Sequence, residues 1–162
     1  MMNRTIKFRG KRVDNGEWVY GGLWISYAND YYIIDSVWLN RLRTKGGKTT
    51  YGFEDEKQLF WVKRETVGQF IEETDTNDNE LYEGDIIKYL DGEYETEDTP
   101  EEDYLVDYIV WGGIHHYPAF DLVNNHFEMN GIYEIWDGGF GVHKIGNIYD
   151  NPELLKGEQN EP

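Results

Sequence analysis

The chain has 162 residues, with 32 acidic and 15 basic side chains, a formal charge of −17 and no cysteine. That excludes disulfides, thiolate metal sites and a cysteine nucleophile, and the length suits one domain with its own core. No apolar run approaches the roughly 20 residues of a membrane helix, and the opening Met1-Met2-Asn3-Arg4-Thr5-Ile6-Lys7-Phe8-Arg9 lacks a signal-peptide core. A soluble, cytoplasmic protein is therefore expected.

Residues 4–9 alternate charged and apolar side chains, with Ile6 and Phe8 on one side, and read as a half-buried strand. Asp14-Asn15-Gly16 is a tight-turn signal, because Asn and Gly tolerate positive φ. Trp18, Tyr20, Gly22 and Trp24 then alternate with Val19, Gly21, Leu23 and Ile25, so Phe8 to Trp24 reads as a hairpin. Trp18 and Trp24 are expected to be packing partners rather than ligand-stacking residues. Tyr31–Asp35, 59–63 and 66–71 are further strands, and 41–58 a long loop or loose hairpin, basic first and acidic after.

Residues 72–80 lack apolar periodicity and read as a turn or surface loop. At Gly84-Asp85 a glycine supplies an unusual backbone angle and the aspartate can accept from nearby amides, leading into the strand Ile86-Ile87-Lys88-Tyr89. Residues 91–103, with eight acids, are expected to be a flexible acidic loop. Leu105–Trp111, Ala119–Val123, Phe127–Met129, Ile132–Trp136 and Val142–Tyr149 continue the run of short strands, with a turn at Asp137-Gly138-Gly139. Asn151-Pro152-Glu153 has the grammar of a helix start, with Leu154 and Leu155 anchoring one turn. Residues 157–162 are expected to be a frayed tail.

Aromatic residues make up 16% of the chain and there are 18 glycines, which favours strands and tight turns over helices. The expected fold is mainly β, a short-strand barrel-like arrangement or packed antiparallel sheets with a short C-terminal helical turn, as a single domain over residues 1–156.

Three blocks together resemble the YopX family of phage and prophage proteins. They are Lys7-Phe8-Arg9-Gly10-Lys11-Arg12 with Asp14 and Trp18-Val19-Tyr20-Gly21; Thr66-Val67-Gly68-Gln69-Phe70 with Leu81-Tyr82-Glu83-Gly84-Asp85-Ile86-Ile87; and Ile145-Gly146-Asn147-Ile148-Tyr149-Asp150-Asn151-Pro152-Glu153-Leu154-Leu155. They bracket residues 7–155. The chain departs from the family over residues 71–79, where the usual Gly/Lys-rich turn is replaced by a stretch without either residue. The resemblance implies a mostly β fold and a phage or prophage origin, hence the cytoplasm of a bacterial host. It brings no catalytic residues, the family's function being unknown.

Charge is unevenly divided. Residues 1–70 hold 12 Lys/Arg and 8 Asp/Glu, a balance of +4, whereas residues 71–162 hold 3 and 24, a balance of −21. The second half repels phosphates and suits basic protein surfaces, or another copy's basic N-terminal segment. Lys7, Arg9, Lys11 and Arg12 beside Phe8 and Trp18 read either as a nucleic-acid contact or as a solvated strand edge whose charges discourage aggregation, and the second is favoured.

Adjacent residues on a strand point to opposite faces, so His115 and His116 do not readily share a metal. The 91–103 stretch lacks the Asp/Asn alternation and central Gly of an EF-hand. There is no P-loop, dinucleotide fingerprint or nucleophile elbow, and Asp85 is read as a turn residue rather than a catalyst. No catalytic, cofactor-binding or metal-ligating residue is assigned, and no cofactor is expected. The favoured function is a non-enzymatic protein-binding or self-assembling module, with neither membrane nor nucleic acid as the expected partner. The alternatives are an acidic nucleic-acid-mimicking inhibitor of a host DNA-binding protein and a small-molecule enzyme.

Overall fold

The computed structural model describes residues 5–35, 59–90, 96, 98–113, 118–125, 127, 130–138 and 141–156. The chain divides into two compact units, Met1–Phe70 and Ile71–Pro162. The boundary falls where the charge balance changes from +4 to −21.

In the first unit, β1 (Phe8–Lys11) and β2 (Trp18–Ile25) form the expected hairpin, with Phe8 opposite Gly21 and Lys11 opposite Trp18. Gly16 adopts φ +75° at its turn, a conformation that costs a glycine little. β3 (Tyr31–Asp35), β4 (Leu59–Val62) and β5 (Gly68–Thr74) complete an antiparallel sheet in the order β4-β3-β2-β1-β5. The single-turn Arg64–Thr66 3-10 helix precedes β5. The Thr66 hydroxyl ties that turn to β1, accepting from the Lys11 amide at 2.9 Å and donating to the Lys63 carbonyl at 2.7 Å. Gly21 permits a close approach of β2 and β3, since a Cβ there would lie 1.8 Å from the Ile34 carbonyl oxygen. Ile33 and Val62 are buried on one face of this sheet.

β5 continues into the second unit, where it neighbours β6 (Glu80–Tyr82). β7 (Asp85–Leu90), β8 (Tyr104–Trp111), β9 (Phe120–Leu122) and β10 (Val142–Asn147) form an antiparallel sheet in the order β10-β7-β8-β9. β7 is flanked on both sides, which is why its whole length except Lys88 is buried. The core joins Leu81, Ile87, Tyr89, Ile109, Leu122, Ile135 and Val142. At about 1.5–3 kcal/mol per fully buried large apolar side chain, these residues dominate the unit's stability. Asn151 precedes a 3-10 turn at Pro152–Lys156, as its sequence grammar predicts.

The protein is mainly β, built on two antiparallel sheets, and no closed barrel forms among the described residues. Three expectations need correction. Ile132–Trp136 is not a strand but part of a helix, α1 (Gly131–Asp137). Asn130 overrides the β propensity of this segment by capping the helix, its side chain accepting from the Tyr133 amide at 2.9 Å, while Ile135 is buried in the core. β5 runs through to Thr74, so the loop expected at 72–80 shrinks to a turn at 75–79. β1 lies between β2 and β5 and is no edge, and Arg9 is only 1% exposed. The expected loop at 41–58 lies outside the described residues.

Candidate functional site

Carboxylates are the chain's most abundant reactive groups, and four of them are buried in the second unit: Asp75, Asp85, Asp107 and Asp121. Each is an acceptor for main-chain donors. Asp75 closes the 75–79 turn, receiving the Asn77 and Asn79 amides at 2.9 and 2.8 Å and, from β10, the Lys144 amide at 3.1 Å. Burial works to raise its carboxyl pKa, but these bonds and that from the Asn79 side chain outweigh it and hold the pKa below the usual carboxylate value. Asp85 accepts from the Tyr82 amide at 2.8 Å, bracing the turn in which Gly84 sits at φ +82°, and pairs with Lys144 Nζ at 2.9 Å. Asp107 accepts from the Tyr108 and Asn124 amides, both at 2.8 Å. Asp121 accepts from the Leu122 and Gly131 amides at 2.8 Å and from Asn125 Nδ2 at 3.0 Å. These four side chains thus hold turns and chain crossings together.

Of the histidines, only His143 is described; it lies on β10 with its ring 5.9 Å from that of Tyr104, edge to face. His115, His116 and His126 lie outside the described residues, as do 91–95 and 97 of the acidic loop. Among the described residues no three His, Asp or Glu gather in a metal-binding group. Within the rest of that loop Glu101–Asp103 forms a 3-10 turn, and Glu101 receives Lys88 Nζ at 2.7 Å.

A concave surface does exist in the second unit, and it depends on α1. A groove of about 930 Å³ runs between the end of β5, β9 and α1. Its walls are mostly apolar, from Ile71, Phe120, Ile132 and Trp136, with Tyr133 at 54% exposure. Two acids, Glu73 and Asp137, also line it. Burial, and then the neighbouring Glu72 charge, push the Glu73 carboxyl pKa up, while the side chain stays largely exposed on β5. The helix wall is fixed at its start: Asn130 donates to the Phe120 carbonyl at 2.7 Å, and Asp121 receives the Gly131 amide. An apolar groove lined by two acids suits a ligand that joins an apolar body to a cation. Reading Ile132–Trp136 as a strand conceals this site, although Asn130 followed by Ile132, Ile135 and Trp136 at helical spacing is a signal for it.

The first unit carries a different surface. Trp24 on β2 faces Tyr32 on β3, which faces Trp61 on β4, and the Trp24 and Tyr32 rings are 5.2 Å apart. Trp24 is a cross-strand packing partner as expected, yet it is 39% exposed, Trp61 is 53% and Tyr20 is 42%. Trp18 packs under cations: its ring lies 4.6 Å from the Arg9 guanidinium and 5.7 Å from Lys11 Nζ.

Comparison with known proteins adds the following. The model of the YopX protein family matches residues 7–156. Protein EF1440 from Enterococcus faecalis, a crystal structure, shares the fold at 19% sequence identity with a TM-score of 0.52, covering 94% of this chain and 99% of its own. No curated protein sequence matches.

Proposed function

The chain belongs to the YopX family, and from that premise we propose that it acts by binding rather than catalysis, as a phage- or prophage-encoded module of the bacterial cytoplasm. Its second-unit groove receives a segment of another protein that presents an apolar side chain beside a lysine or arginine. The observation that carries this reading is the groove itself, apolar along its walls and lined by Glu73 and Asp137. A cation brought there relieves the cost of ionised Glu73, while the −21 balance of residues 71–162 draws basic partners in. Short peptides pairing Trp or Leu with Arg, titrated by calorimetry against the whole chain, should bind, and their citrulline counterparts should not. Equal affinity for the two sets, or no binding up to millimolar peptide, would sink the proposal.

The coincidence of the charge division with the unit boundary favours a second reading, self-association, in which the +4 segment of one copy meets the −21 segment of another. Sedimentation at low and high salt tests it, and a strict monomer in both counts against it.

A further inference from the structure

We infer that the aromatic face of the first unit's sheet is a binding platform for single-stranded nucleic acid. A solvent-facing sheet surface ordinarily carries polar side chains. Here strand register instead places Trp24, Tyr32 and Trp61 in one line across three neighbouring strands. Side chains alternate along β2, so Tyr20 and Trp18 continue the same face, with Gly22 leaving a dip between Tyr20 and Trp24. Lys11 lies directly across from Trp18. Lys7 and Lys11 each hold an ammonium 5.7 Å from a ring on this face, Tyr20 and Trp18 respectively.

The combination selects the ligand. An acidic protein would use the lysines and leave the rings idle, and a neutral sugar would use the rings and leave the lysines idle. Single-stranded nucleic acid uses both, because its bases stack on aromatic faces while phosphates meet the cations. The case against nucleic acid from sequence rests on reading Lys7, Arg9, Lys11 and Arg12 as a solvated strand edge, which β1's place between β2 and β5 removes, and on the charge of residues 71–162. Their repulsion of a polyanion is screened over about 8 Å at physiological salt, whereas stacking is not screened. A stacking-led site with two lysines therefore has a shallow salt dependence, a log–log slope of about −1.4 for a single strand.

The test uses the whole chain and a fluorescein-labelled 20-nucleotide oligo(dT), with oligo(U) beside it to separate DNA from RNA, read by anisotropy. Binding is expected, with the shallow slope, and Trp61→Ala and Trp24→Ala should each weaken it about tenfold. Leu154→Ala, at an exposed second-unit position outside the groove, should leave it unchanged. Ultraviolet crosslinking of the unmodified protein to oligo(dT) keeps the test independent of variant folding, and adducts should map to residues 18–32 or to Trp61. The inference is overturned by no binding at 100 µM protein, by duplex DNA or heparin binding as tightly as the single strand, by tryptophan variants that bind like the parent, or by adducts confined to residues 71–162.

Discussion

Replacing Asp121 by alanine should unfold the second unit far more readily than any change in its exposed charges. The Asp121 side chain is fully buried, and it receives the Leu122 amide, the Gly131 amide and Asn125 Nδ2. Two glycines leave room for it: a Cβ on Gly113 would come within 2.6 Å of Asp121 Oδ2, and one on Gly131 within 3.2 Å of Oδ1. Alanine would strand three donors, each costing about 1–3 kcal/mol if left without an acceptor. With some water entering the vacated space, the net loss is about 4 kcal/mol, a large share of the roughly 5–15 kcal/mol that stabilises a domain. Asp121→Asn keeps one oxygen for the two amides but turns an NH₂ toward Asn125, and should cost about 2 kcal/mol. Urea unfolding followed by circular dichroism measures both losses. Hydrogen exchange at the Gly131 amide reads the bond directly and should accelerate in Asp121→Ala. A loss below about 1 kcal/mol for alanine, or an asparagine variant as damaged as the alanine one, would refute the account of this carboxylate as a hub.

Gly21→Ala should be the most damaging glycine substitution of the first unit, costing about 3 kcal/mol or more, because its Cβ would collide with the Ile34 main-chain oxygen at 1.8 Å. Gly16→Ala, with nothing within 4 Å but φ +75°, should cost about 1 kcal/mol in the same thermal melts. For Asp75, the folded pKa lies below the ordinary 3.8, so its stabilisation is complete above that value and is lost as pH falls through the folded one. Acid titration should show this, and Asp75→Asn should be less stable at pH 7 with a flatter acid limb. Glu73 has the opposite sign: its folded pKa is raised above 4.5, so the ionised form opposes folding at neutral pH. Glu73→Gln should leave stability at pH 7 unchanged or slightly higher, weaken arginine-peptide binding severalfold, and flatten the rise of affinity with pH that calorimetry should find in the parent.

The strands were legible where local chemistry agrees with the final environment. The β1–β2 hairpin announces itself through alternation and the Asn15-Gly16 turn, and Gly84 through a β-branched run after a glycine; both glycines take the positive φ the sequence requires. The helix α1 was hidden because Ile132, Tyr133, Ile135 and Trp136 have strand propensity, and only the Asn130 cap and a spacing of three and four betray it. Losing the helix lost the groove, since three of its apolar wall residues sit there. The buried aspartates were illegible for another reason. The amide donors that justify Asp107 and Asp121 include Asn124 and Gly131, 17 and 10 residues away, so nothing local distinguishes these acids from the solvated ones.

That distinction bears on function. An acidic chain offers many carboxylate pairs, and proximity alone would nominate several as acid–base catalysts. In the second unit, however, Asp75, Asp85, Asp107 and Asp121 each receive at least one main-chain amide, an arrangement that ties each carboxyl group to chain geometry. A general acid needs a carboxyl aimed at open space, within reach of a substrate. Glu73 comes nearest, being pushed upward and lining a groove whose other walls are mostly hydrocarbon. On the proposed binding reading Glu73 serves as a counter-charge, because an acid beside apolar walls gains most from a cation that arrives with its own apolar surface.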